Sequence, residues 1–162
     1  MGGGGSQGGG GIPPEDLRPI ADRVRGILRE GDQPKKNVFL ARAYEDEDEV
    51  NLLRGQAKNP DTNFEFNDWS LREAFDSEHA EYIKRGIRER IRHSSVTLVY
   101  LSPHSAASRW VDWEIRESLR LGKRVTGVYV GSEPPNLPPA FGEFGLKSIP
   151  WRHADLMREI GD

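Results

Sequence analysis

Apolar residues recur along this chain in two alternating rhythms: short, nearly unbroken runs, and stripes spaced every third or fourth residue. The run Val96-Thr97-Leu98-Val99-Tyr100-Leu101 has the length and composition of a strand covered on both faces, and it breaks at Ser102-Pro103. Asn37 to Ala41 and Arg124 to Val130 read the same way, Asn63-Phe64-Glu65-Phe66-Asn67 alternates with a period of two, and Lys147 to Trp151 predicts a short last strand. Between them lie helical stripes. Val50, Leu52 and Leu53 predict a helix through about Lys58, followed by a turn at Asn59-Pro60-Asp61. Ala80, Ile83, Ile87 and Ile91 predict one over Ser77 to His93; Val111, Ile115 and Leu119 predict one over Ala107 to Leu121, which Gly122 closes. Ala154 to Ile160 predicts a short final helix, and Gly131 to Pro139 a Pro-rich loop.

Strands that alternate with helices imply a parallel sheet of about five strands, helices on both faces and right-handed crossovers. Met1 to Gly11 is nearly all Gly and reads as a flexible tail or linker; Pro13-Pro14-Glu15-Asp16 then opens a lead-in helix over 12–34, with Leu17, Ile20, Val24, Ile27 and Leu28 on one side. Residues 35–162 carry the α/β domain. No internal repeat is present.

Composition removes several chemistries. Without cysteine there are no disulfides, thiol nucleophiles or thiolate metal sites. No window has the roughly 18 consecutive apolar residues of a membrane span, and no secretory signal pattern is visible, so a cytoplasmic protein without membrane attachment is expected. A net charge of -3 is not the basic footprint of a nucleic-acid binder. His79, His93, His104 and His153 lack metal-ligand spacing, so no metal is expected, and the N-terminal glycines lack the strand, Lys and helix of a phosphate-binding loop. The acidic run Glu45 to Glu49 reads as solvated carboxylates favoured by a helix amino terminus, and the basic residues between Lys84 and Arg92 as a solvated face.

The chemistry centres on Glu114. In open α/β sheets ligands bind outside the carboxyl ends of the strands, and a helix that follows the central strand presents its first turns to that crevice. Trp110 and Glu114 form a stripe beside the core stripe, so the carboxylate is drawn away from water next to an indole. Positions three and four away on its helix are Trp110, Val111, Glu117 and Ser118, none cationic, so a charge partner must come from another element, with Arg42 the candidate. Arg42, Ala43 and Tyr44 after the first strand, and Asp68 and Ser70 after the second, are expected at the same crevice. An ion pair of Arg42 with Glu45 or Asp46 is the structural alternative.

The blocks Phe64-Glu65-Phe66 with Asp68-Trp69-Ser70, Tyr82-Ile83-Lys84, Ile87-Arg88-Glu89-Arg90-Ile91, Ser94 to Val99, Ser108-Arg109-Trp110-Val111-Asp112-Trp113-Glu114-Ile115 and Gly122 to Val128, in this order and spacing, resemble the TIR-like family. The similarity is to its bacterial and archaeal branch, which includes sensor proteins of Thoeris antiphage defence. It covers about Lys35 to Val130. The resemblance implies a flavodoxin-like three-layer fold and, for many members, cleavage of the nicotinamide glycosidic bond of NAD, followed by hydrolysis or cyclisation of the ADP-ribose part. The family's catalytic glutamate falls on Glu114; NAD is substrate, and no cofactor is implied. From the fold, Arg42 is expected toward the pyrophosphate and Trp110 against sugar or base. Self-association through the region of Trp69 to Ser77, activity in an assembled or triggered state, and an effector protein answering a diffusible cyclic nucleotide are further expectations.

Two enzyme-like rivals fit less well. A phosphoacceptor receiver needs an Asp ending the central strand, where this chain has Tyr100-Leu101-Ser102-Pro103, and a nucleoside deoxyribosyltransferase does not explain Trp-Val-Asp-Trp-Glu. The remaining alternative is a TIR-like scaffold that binds partners and never turns over NAD.

Overall fold

The computed structural model describes residues 35–56, 62–68 and 73–161. The tail, the lead-in helix, the turn at Asn59-Pro60-Asp61 and Ser70 lie outside the described residues.

Five strands, β1 (Lys36–Ala41), β2 (Phe64–Asn67), β3 (Val96–Tyr100), β4 (Arg124–Tyr129) and β5 (Ser148–Pro150), form one all-parallel sheet in the order β2-β1-β3-β4-β5. The chain steps from β1 outward to β2 and then returns across β1 to β3, so the order reverses between β1 and β3. Every residue of β3 is buried, as a central parallel strand requires. β1 pairs with it in the register Val38↔Val96 through Ala41↔Val99.

Helices α1 (Glu47–Gln56), α2 (Ala80–Arg92), α3 (Arg109–Arg120), α4 (Pro139–Phe144) and α5 (His153–Gly161) cover the sheet. Because successive strand residues point to opposite faces, β1 feeds two cores. Phe39 and Ala41 join Ile83, Ile87 and Ile91 of α2 and Val111 and Ile115 of α3. Val38 and Leu40 join Val50 of α1 and Leu156 and Ile160 of α5. The α/β class, the parallel sheet and the helical stripes of the sequence reading are thus those of the structure.

Local chemistry sets the helix that matters most. Ser108 caps α3, its hydroxyl oxygen accepting from the Val111 N–H at 3.2 Å, and Gly122 follows the helix with φ +78°, a conformation that favours glycine. A buried hydrogen bond between the Thr97 and Ser118 hydroxyls, 2.8 Å, fixes α3 on β3.

The short helix α4 is a difference from the sequence reading, which placed a loop up to Pro139 and nothing regular between it and the last strand. Pro139 at its first turn and Gly145 beyond its end, φ +64°, are the two signals that marked it. α4 lies close because β4 has Gly127 beneath it: a Cβ there would sit 2.7 Å from both Leu101 Cδ1 and Phe141 Cε2.

Candidate functional site

Where the strand order reverses, the residues that leave β1 and β3 diverge and leave a crevice. It measures about 300 Å³, with Tyr44 and Glu45 on the β1 side, Pro103, His104, Ala107 and Ser108 on the β3 side, and Trp110 from the first turn of α3. This is within the size range of small-ligand pockets, roughly 300–1,000 Å³.

One tie joins its two walls. Asp46, 4% exposed, accepts a hydrogen bond from the Ser102 hydroxyl, whose oxygen in turn accepts from the His104 N–H at 3.0 Å. The Ser105 hydroxyl accepts from the Ser102 N–H at 2.9 Å and donates to the Ser102 carbonyl at 3.0 Å, so the β3-side wall is folded on itself. Burial pushes the Asp46 carboxyl above its ordinary range, with the nearby charges of Glu49 and Glu45 adding to the rise and the Ser102 bond opposing it. Beside it the Tyr100 hydroxyl donates to Glu49, and burial followed by that bond raises the phenol's pKa.

These contacts correct the reading of the acidic run at Asp46, while Glu45, Asp48 and Glu49 are exposed as expected. Asp46 is buried because this one residue of the turn after β1 packs on the loop after β3, and the exposed Glu49 accepts from the Tyr100 phenol.

Trp110 is held from the other side. Its indole N–H donates to the Glu73 carbonyl at 2.7 Å, and its ring meets Phe75 edge-on at 4.9 Å between centroids. One turn further along α3, Glu114 is fully buried, as are Val111 and Ile115 beside it. Glu114 lines neither the crevice nor the smaller cavity next to it.

Tyr44 and Trp110 are therefore brought together at the crevice, Tyr44 as an exposed rim aromatic. Ala43 is buried in the core behind it. Arg42 and Asp68 are brought together with each other: Arg42 Nη1 lies 2.8 Å from Asp68 Oδ2, and Arg42 Nη2 donates to Glu47 Oε1 at 3.0 Å. Asp68 also takes Arg54 at 3.0 Å. The partners of Arg42 are thus Asp68 and Glu47 instead of Glu45 or Asp46. A guanidinium that is 3% exposed needs counter-charges within reach, and the end of β2 supplies one that sequence distance concealed.

Sequence reasoning missed Asp46, Ser102 and His104. Ser102-Pro103 read only as a strand stop, yet a Ser-rich turn directly after a central strand was the available signal. Among the described residues no cluster of three or more His, Asp or Glu side chains is arranged to hold a metal.

Residues 39–134 match the family model described as Thoeris protein ThsB, TIR-like domain. The chain belongs to this TIR-like family. No curated protein matches it. Solved structures with a similar fold include the TIR domain of the Toll-related receptor TRR-2 from Hydra magnipapillata, 17% identical, covering 79% of this chain and 100% of that one with a TM-score of 0.48. Another is the CMP N-glycosidase BcmB of Clostridium botulinum, 14% identical, covering 78% and 100% with a TM-score of 0.43. The matched segment of the TIR-like domain contains the switch point, the crevice and Glu114.

Among the described residues no helix of the domain is long and apolar enough to cross a membrane.

Proposed function

We propose that this TIR-like domain cleaves the nicotinamide glycosidic bond of NAD and yields a cyclic ADP-ribose-type signal in cytoplasmic antiphage defence. The observation that carries the reading is Glu114: a buried carboxylate one helical turn beyond Trp110, which lines the crevice at the switch point. The resemblance of the surrounding Trp-Val-Asp-Trp-Glu block to the family's catalytic segment supports it.

The chemistry fits a carboxylate acting alone. The C1–N bond to nicotinamide breaks with its electron pair going to the pyridinium nitrogen, so neutral nicotinamide leaves and no proton has to be delivered to it. Positive charge then develops on the ribosyl C1 and ring oxygen. A carboxylate in a site of low dielectric stabilises that charge more than water does. Water, or a hydroxyl of the ADP-ribose itself, attacks C1 and gives up its proton; the first route gives ADP-ribose and the second a cyclic product. In this reading Trp110 and Tyr44 supply flat surfaces to sugar and base. Arg42, Ala43 and Asp68 belong to the surrounding shell, with Arg42 and Asp68 bracing the end of β1 against β2; Ser70, outside the described residues, is kept as a substrate-side candidate from the sequence.

A second reading has an observation in its favour. Glu114 is fully buried and lines neither cavity, so catalysis requires the groups packed over it to shift before a ribose can touch it. A scaffold that only binds partners has no such requirement.

Incubation with NAD, with and without extract from phage-infected cells, followed by chromatographic separation, distinguishes the two. Expected are nicotinamide and either ADP-ribose or its cyclised form from the wild type, and neither above background from Glu114→Gln. Nicotinamide at equal rates from both proteins removes the catalytic reading.

A further inference from the structure

Beside the crevice lies a second cavity of about 200 Å³, between the first turn of α3, the start of α4 and the segment before α2. Phe75, Arg109, Asp112 and Pro139 line it, and Ala107 and Ser108 form a wall it shares with the crevice. The two hollows thus share Ala107 and Ser108 as a common wall, beside the contact between the Trp110 and Phe75 rings.

We propose that the second cavity is a subsite for the adenosine-phosphate half of a pyrophosphate-linked dinucleotide. This inference rests on the reading of the crevice as the place where the ribosyl-nicotinamide half is cleaved. A dinucleotide is two nucleoside bodies joined by an anionic bridge, and it needs two adjoining hollows, a low saddle between them and a cation at hand. Ala107 and Ser108 are the saddle.

Arg109 is the cation. Its side chain is 64% exposed, and its nearest acid, Asp76, is 3.6 Å away and 78% exposed, a long solvated pair of little strength. A phosphate offers two oxygens to the guanidinium fork and displaces such a partner readily. The guanidinium also lies 4.7 Å from the centre of the Phe75 ring, so an adenine entering the cavity meets a flat cationic surface backed by an aromatic one.

Phe75 is itself fixed, by Lys84 Nζ 4.4 Å from its ring centre and by the edge of Trp110. Asp112 gives one carboxylate oxygen to Arg116 at 2.9 Å, and the other faces no hydrogen-bond donor among the described residues, which suits a ribose hydroxyl. Trp110 lies in the first hollow and one turn before Glu114, so that hollow takes the reacting half and the second takes the other.

The consequence is a preference for the dinucleotide over its half. Contacts made far from the reacting bond are used in the transition state, so a truncated substrate loses rate as well as affinity. Nicotinamide mononucleotide carries the same scissile bond without the adenosine half.

The test pairs AMP binding, measured by calorimetry, with the ratio of kcat/KM for NAD over nicotinamide mononucleotide. Both are measured on the full chain, on Arg109→Glu, and on Ala106→Phe, which fills the cavity without changing charge; circular dichroism establishes that each variant is folded. Expected is AMP binding to the wild type that weakens roughly tenfold or more in both variants, with a similar fall in the substrate ratio. AMP binding that depends on Arg109 in a protein that cleaves neither substrate, with extract from phage-infected cells added as well, upholds the subsite and defeats the cleavage reading. Cleavage of NAD with a ratio unchanged in both variants, or no AMP binding to the wild type, overturns the subsite.

Discussion

Helix α3 carries two buried glutamates less than one turn apart, one docked on α2 and the other one turn beyond the residue that lines the crevice. Glu117, 7% exposed, is gripped by Arg120 and by Arg88 at 2.7 Å. Its pKa is lowered, first by the Arg120 hydrogen bond, with burial opposing and Arg88 adding to the fall. Glu114 lies one turn beyond Trp110 and next to the two core residues Val111 and Ile115, fully buried and outside both cavities. The far half of α3 uses charge to dock on α2, and the near half borders the cavities.

Glu159 shows that the first arrangement is the ordinary structural one. Burial alone would raise its pKa, but Lys147 at 2.8 Å and the Thr126 hydroxyl at 2.6 Å, with the charge of Arg124, bring it below the usual value. A buried carboxylate that only holds the fold together is answered by cations from neighbouring elements. Glu114 differs in its place: it lies one turn beyond Trp110, which lines the crevice, whereas Glu117 and Glu159 sit away from it.

The comparison breaks most completely at Ile115, between the two. Ile115→Ala empties a fully buried site under both halves of α3 and is expected to cost about 3–4 kcal/mol in urea unfolding. Glu117→Gln removes one side of the ion cluster. Because Arg88 and Arg120 are 32% and 60% exposed in their side chains and reach water, the expected loss is roughly 1–2 kcal/mol.

That loss has a pH signature. A lowered native pKa means that the unfolded chain binds the proton more readily, so the stability from Glu117 is present above its unfolded pKa, near 4.3, and disappears as pH falls through the native value. The melting curves of wild type and Glu117→Gln should therefore converge on acidification below about pH 4.

Smaller effects sharpen the picture at the crevice. Ser108→Ala removes the cap of α3 and is expected to cost about 1 kcal/mol in thermal unfolding. Asp46 has the opposite sign to Glu117. Its native pKa is raised, so its charge penalises the folded state increasingly as pH rises through that value. Asp46→Asn, which keeps an acceptor for the Ser102 hydroxyl, is expected to gain at most about 1 kcal/mol at pH 7, a gain that fades as pH falls below its unfolded pKa of about 3.9.

Much of the fold was legible because its signals are periodic. Ile83, Ile87 and Ile91 repeat every fourth residue and are all fully buried on one face of α2, and the run from Val96 to Tyr100 is buried throughout. The burial of Glu114 was legible for the same reason, since a stripe next to Val111 and Ile115 follows them into the interior. Helix α4 was not, because Pro138-Pro139 reads as loop until the glycine at 145 is counted as a helix stop.

The site was only half legible, for a different reason. Asp46 and Glu47 are neighbours of the same type, yet one turns inward to Ser102 and the other to Arg42. Nothing periodic separates them. Their fates depend on which element docks opposite, as does the pairing of Arg42 with Asp68 across β1 and β2.

Nicotinamide release from NAD, measured at equal folded concentration for wild type, Glu114→Gln and Glu117→Gln, bears most directly on the role of Glu114. Expected is a fall of roughly 100-fold or more in Glu114→Gln, with Glu117→Gln close to wild type. Turnover in Glu114→Gln equal to that in Glu117→Gln would contradict it, and both glutamates would then be parts of the fold alone.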